Sequence, residues 1–131
     1  MEIKKGNEVY ALKAGSDLKS GSEWFGEPFE PLQAQRMNYP AGKEFKVHRH
    51  IMNPRIIKIT QEAFVVITGK LQVDIYDDSK SYLGSLSAGP GEVILVYRGY
   101  HAVKVMEDFV GYEIKAGSYS YVSEDKEFLN V

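Results

Sequence analysis

Residues 61–76 read QEAFVVITGKLQVDIY, and their reading decides the fold. Two apolar runs, EAFVVI and LQVDIY, flank Thr68-Gly69-Lys70. Both are rich in Val, Ile and Phe, side chains that suit a pleated, half-buried surface. Gly69 accepts the positive φ that a tight hairpin requires. The stretch therefore predicts two strands, Gln61–Thr68 and Lys70–Tyr76. Downstream, Asp77-Asp78-Ser79 has the side-chain chemistry to close a further hairpin onto its own backbone. Ala88-Gly89-Pro90-Gly91 makes a sharp turn before VILVY, and Arg98-Gly99-Tyr100 bends between two more strands.

Working outward, the same punctuation continues. Twelve glycines and five prolines cut the chain into short Val-, Ile-, Tyr- and Phe-rich pieces. These predict further strands at Val9–Lys13, Leu32–Tyr39, Glu44–His50, Ser81–Leu86, Glu92–Tyr97, His101–Met106 and Phe109–Lys115. Gly15 to Pro31 lacks periodicity and reads as loop or edge structure. Ser123–Leu129 (SEDKEFL) has an N-cap serine and early acids, the pattern of one or two helical turns. About nine short strands without a long amphipathic helix point to an all-β sandwich or barrel.

A chain of 131 residues suits one domain spanning 1–131. Its apolar share of 44% supports an ordinary core without staples. A net charge of −2 with mixed signs does not resemble the basic footprint of a nucleic-acid binder. The absence of cysteine excludes disulfides, thiolate metal sites and cysteine nucleophiles. MEIKKGNEVY lacks the apolar core of a signal peptide, and no apolar run approaches the ~20 residues that cross a bilayer. The expectation is a cytoplasmic protein that engages neither nucleic acid nor membrane.

Chemistry concentrates on the three histidines. Residues i and i+2 of a strand share a face, so His48 and His50 in KEFKVHRH can converge on one metal ion. Neutral imidazole is the commonest ligand for divalent transition metals. Glu62 opens the strand EAFVVIT and His101 opens HAVKV, both beside turns, where a side chain reaches a barrel mouth. Three imidazoles and one carboxylate leave coordination positions open, as catalytic sites do.

This spacing resembles the cupin family. Gly42 is followed by KEFKV and His48-Arg49-His50; Glu62 is followed by AFVVIT and Gly69. Together these resemble the first cupin motif. Gly91, then EVILV, then Tyr97-Arg98-Gly99-Tyr100-His101 resembles the second. Three features depart from the pattern. Eleven residues, IMNPRIIKITQ, separate His50 from Glu62, a longer gap than is usual. Tyr97 replaces the usual proline, and one residue rather than two lies between Gly99 and His101. The resemblance covers roughly residues 32–116. It implies a cupin jelly-roll β-barrel with a divalent transition metal (Fe, Mn, Ni or Zn) on His48, His50, Glu62 and His101. The stretch from Asn53 to Asp77 and the SEDKEF ending are similar to small cupins linked to bacterial surface-polysaccharide and sugar-nucleotide pathways.

The resemblance leaves three functions open: Lewis-acid isomerisation or epimerisation of a sugar-like molecule, iron-dependent dioxygenation, and non-catalytic small-molecule binding or sensing. Arg36 and Tyr97 are candidate substrate contacts. Arg36 is otherwise a solvated edge residue, and Tyr97 otherwise packs beneath its turn. Arg55 in the long loop has the same two readings as Arg36. If His48, His50, Glu62, Phe64 and Val66 face inward, then Phe45, Val47, Ala63, Val65 and Ile67 face outward. A sheet apolar on both faces needs cover on both, so a homodimer is expected.

Overall fold

The computed structural model describes residues 1–15, 17, 19–117 and 126–130. Eight strands are formed: β1 (Glu2–Lys5), β2 (Glu8–Ala14), β3 (Gly21–Phe25), β4 (Ala34–Asn38), β5 (Glu62–Tyr76), β6 (Tyr82–Ala88), β7 (Val93–Val96) and β8 (Tyr100–Lys115). No helix occurs among the described residues, so none is long and apolar enough to cross a membrane. The chain is all-β, a curled antiparallel sheet that forms a half-barrel.

β5 is the spine. Its first residues pair with β7, from Glu62 opposite Val96 to Val65 opposite Val93. Its last residues pair on that side with β6, from Leu71 opposite Ala88 to Tyr76 opposite Tyr82. β8 runs along the other side for the whole length, from Glu62 opposite Lys115 to Tyr76 opposite Tyr100. β2 joins β7, and β1 closes the edge. β3 and β4 form a separate two-stranded sheet.

Gly69 does adopt a positive φ, 84°, but it makes no hairpin. β5 runs through it, and the register with β8 shifts between Val66 and Leu71. This is a β-bulge, which adds a residue and bends the strand. The side-chain alternation confirms it. Phe64 and Val66 are buried before the bulge, and Leu71, Val73 and Ile75 after it, so the inward parity switches from even to odd. A Cβ at Gly69 would collide with the carbonyl of Asp108, where β8 passes the bulge. The two strands expected at His101–Met106 and Phe109–Lys115 are likewise one.

Two apolar clusters result. The concave one gathers Phe64, Val66, Leu71, Val73, Ile75, Leu86, Ile94 and Val96, and reaches Ile3 of β1, which brings the two ends of the curl together. Burying each such side chain contributes about 1.5–3 kcal/mol. On the convex face, Val9, Leu12, Ala63, Leu95 and Tyr97 are covered by Phe25, Leu32 and Ala34. The Gly15–Pro31 segment, expected as loop or edge structure, thus contains β3, one strand of the two-stranded sheet, which helps seal the second core.

The strand expected at Glu44–His50 is not formed. Residues 43–58 are exposed and carry no strand, because no neighbouring strand supplies a ladder for their backbone groups. The helical turns expected at Ser123–Leu129 begin outside the described residues; Lys126–Leu129 are not helical. The hairpin at Asp77 follows the expected chemistry: its Oδ1 accepts from Ser81 N at 2.8 Å.

Candidate functional site

Glu62 and Ile75 are thirteen steps apart on β5. An extended strand would separate them by roughly 40 Å. Yet His101, which stands opposite Ile75 on β8, puts its Nε2 2.8 Å from Glu62 Oε2. The bulge and the curl fold the β5–β8 ribbon back on itself and bring its two ends together over the concave face. The imidazole of His101 also packs edge-on against Phe64, with ring centroids 6.3 Å apart.

This pair sits in a pocket of about 310 Å³. Phe64, Leu71, Val103, Val105 and Phe109 supply apolar walls, and Glu62, His101, Glu113 and Lys126 supply polar groups. Glu113 stands opposite Phe64 on β8, and its carboxyl shares the pocket with that of Glu62. The two carboxyls respond in opposite directions. His101 foremost, against the effect of burial, holds Glu62 below the usual carboxylate range. The hydrogen bond to Glu62, then burial and the like charge, push Glu113 up. Environments that drive neighbouring acids apart in this way are typical of functional sites.

The other two predicted ligands lie elsewhere. His48 and His50 belong to the exposed segment between β4 and β5. Their rings are 5.7 Å apart, and His48 Nδ1 lies 2.8 Å from the carbonyl of Lys46. The structure thus forms two pairs, Glu62 with His101 and His48 with His50. Among the described residues, no group of three or more His, Asp or Glu side chains is assembled to hold a metal.

Arg36 lies on β4, beneath the convex side. It pairs with Glu23 at 2.8 Å, stacks over Phe25 and lines a separate pocket of about 250 Å³ with Lys13 and Glu2. Tyr97 is fully buried. Its hydroxyl accepts the backbone N–H of Glu27 at 3.0 Å, and burial raises its pKa. Here it fastens the 26–32 segment to the sheet. Gln61, also fully buried, does the same, accepting from Leu32 N at 2.9 Å and donating to Glu30 at 2.6 Å. Arg98 adds ion pairs to Glu8 and Glu30. Arg55 is exposed.

Sequence reasoning missed Glu113, Lys126 and the aromatic wall. Glu113 had a signal: it is an acid inside the apolar stretch FVGYEI, on the parity that faces Phe64.

The donor set suits a divalent transition metal, since imidazole and carboxylate serve Zn, Fe, Ni and Mn alike. One structural feature of the Glu62 half fits as well. Glu62 Oε2 is buried, and although His101 Nε2 is at ion-pair distance, no donor approaches that oxygen along a hydrogen-bonding direction. A buried carboxylate oxygen left so is costly, and a cation would satisfy it.

The chain matches no protein-family model, no curated protein and no solved structure.

Proposed function

We propose that this protein is a metal-binding cupin-type barrel that acts on a small polar molecule of the sugar class. The observation that carries the reading is the meeting of Glu62 and His101 in an apolar-walled pocket, at the positions that cupin-like spacing names. His48 and His50 complete the donor set when residues 44–50 lie along the open edge of β8, closing the half-barrel into a jelly roll. Two features support that closure. Among the described residues β8 pairs with β5 alone, so its outer edge before Lys115 can accept a further strand. Residues 43–58 also carry five basic side chains and one acid, which complements the carboxyls of Glu62 and Glu113 in the pocket.

A metal held there supplies Lewis-acid polarisation of a substrate carbonyl or hydroxyl oxygen. The chain's own residues do the rest. Phe64, Phe109 and the valines of β8 present faces for the apolar side of a sugar ring and exclude water. Lys126 and Glu113 offer a donor and an exchangeable carboxyl to hydroxyl groups. Glu113 is the group placed to move a proton at a substrate carbon or oxygen, as isomerisation or epimerisation requires.

The test is solvent exchange. Metal-supplemented protein incubated in D₂O with a panel of keto-sugars and nucleotide sugars should wash deuterium into one of them, and Glu113→Gln should slow this by roughly 100-fold or more. Exchange that is unchanged in Glu113→Gln would remove that residue's role.

A second reading, a metal-free small-molecule binder, is favoured by the contacts Glu62 already makes with His101 and Glu113. It predicts saturable binding by chelator-treated protein with no product formed.

A further inference from the structure

The convex face of the sheet is covered unequally. Over β2, β7 and the start of β5 it is sealed by the chain's own β3, β4 and the segment between them. Toward the end of β8, Val110, Tyr112 and Ile114 alternate onto the same face, because Tyr112 stands opposite Val65 and Ile114 opposite Ala63. Among the described residues, the cover stops here. Val110, Tyr112 and Ile114 are 61%, 66% and 51% exposed. At the bulge, Ile67 is about half exposed. Farther along the same face the sheet needs no cover: Asp74 takes hydrogen bonds from Gln72 and Ser85 and an ion pair from Lys104. The apolar patch is therefore local and ends against a polar network.

We propose that this patch is the contact between two copies of this chain related by a twofold axis. The area fits. Four large side chains, about half to two-thirds exposed, each offer roughly 100 Å², or about 400 Å² together. That is about half of the ~800 Å² per partner that a standard interface buries. The chemistry fits as well: positions 110, 112 and 114 carry no charge, the composition of a homodimer core rather than of a transient surface. So does the shape. A twisted antiparallel sheet face is matched by another such face about 10 Å away, and a twofold axis makes one patch complementary to itself. Of the patch, Tyr112 also lines the concave pocket, whereas Val110, Ile114 and Ile67 do not, so the contact can be tested without the metal reading.

The native chain lacks cysteine, which makes a direct test simple. Wild-type protein at about 10 µM, a concentration a weak dimer would still populate, should sediment at twice the chain mass. Val110→Glu should weaken the dimer by roughly 100-fold with the β-sheet circular dichroism unchanged. Tyr112→Cys should cross-link to a covalent dimer with a flexible bis-maleimide, whose spacer removes the close approach that a disulfide needs, whereas Val47→Cys, in the exposed segment, should not. The cross-link is read on folded protein and keeps the test valid if Val110→Glu unfolds. A wild-type monomer overturns the proposal. So does a dimer that survives Val110→Glu, or one in which Tyr112→Cys fails to cross-link, since either places the interface elsewhere. Metal content is not read in any arm.

Discussion

The two halves of the proposed site are built in opposite ways. Glu62 and His101 are fixed by ladders: β5 has partners on both sides, and β8 follows it end to end. Their side chains meet at 2.8 Å although they come from opposite ends of the ribbon. His48 and His50 lie in a segment with no ladder, where Val47 is 97% exposed and contacts are local. Sequence spacing named all four, Glu62 through its distance to Gly69 rather than to the histidines. The comparison teaches that spacing selects donors, whereas backbone pairing places them. The i, i+2 rule puts two histidines on one face only once a strand exists.

The largest contrast should appear in the packing. Ile94, fully buried in the concave cluster, should cost about 2–5 kcal/mol when changed to Ala. Val47→Ala should stay within about 0.5 kcal/mol. Urea unfolding of the two variants measures both. An equal loss would mean that the segment is packed in solution and would erase the contrast.

Next comes the bulge. Gly69→Ala meets both a positive φ and the Asp108 carbonyl. Its cost should exceed the ~1 kcal/mol of an ordinary glycine effect. It should also relax the fold of the ribbon that joins Glu62 to His101, seen as a moved His101 imidazole resonance. Gly42→Ala, where nothing lies within 4 Å of the added carbon but φ is also positive, reports the backbone strain alone.

Tyr97→Phe should cost about 1–3 kcal/mol, since it leaves the Glu27 N–H without its acceptor. Amide exchange at Glu27 should rise with it. Little effect on any pocket ligand is expected, which separates the latch seen here from a substrate contact.

The smallest effect is at low pH. The Asp74 pKa is lowered to about 2, first by Lys104, then by Ser85, with burial opposing and Gln72 assisting. A carboxyl depressed in the folded state stabilises the fold above its unfolded pKa, and that stability is lost as pH falls through the folded value. Wild type should therefore lose stability between about pH 4 and pH 2. Asp74→Asn should flatten that part of the profile. The exposed segment contributes no comparable carboxyl network.

Much of the sheet was legible because its rules are local. The apolar runs of β5, the Asp77 turn and the VILVY strand are read from propensity and turn chemistry. Gly69 was identified as a special backbone position, but a bulge and a hairpin ask the same φ of glycine. Only the partner strand tells them apart. β3 was hidden because Ser22, Glu23 and Trp24 make no strict alternation, and its inward Phe25 finds cover only in tertiary structure. Tyr97 and Arg36 were plausible substrate contacts by type. Which face of the sheet each occupies depends on register, which the motif does not state. Glu113 was overlooked because no motif holds it, although strand parity places it opposite Phe64.

The central claim is that one ion joins the two histidine-bearing halves. Elemental analysis of untagged protein supplemented with iron, manganese, nickel and zinc tests it most directly. The account predicts about one metal per chain in the wild type, with that metal lost in both His101→Ala and His48→Ala. Protein that stays metal-free after supplementation, or His48→Ala that retains full occupancy, would contradict it.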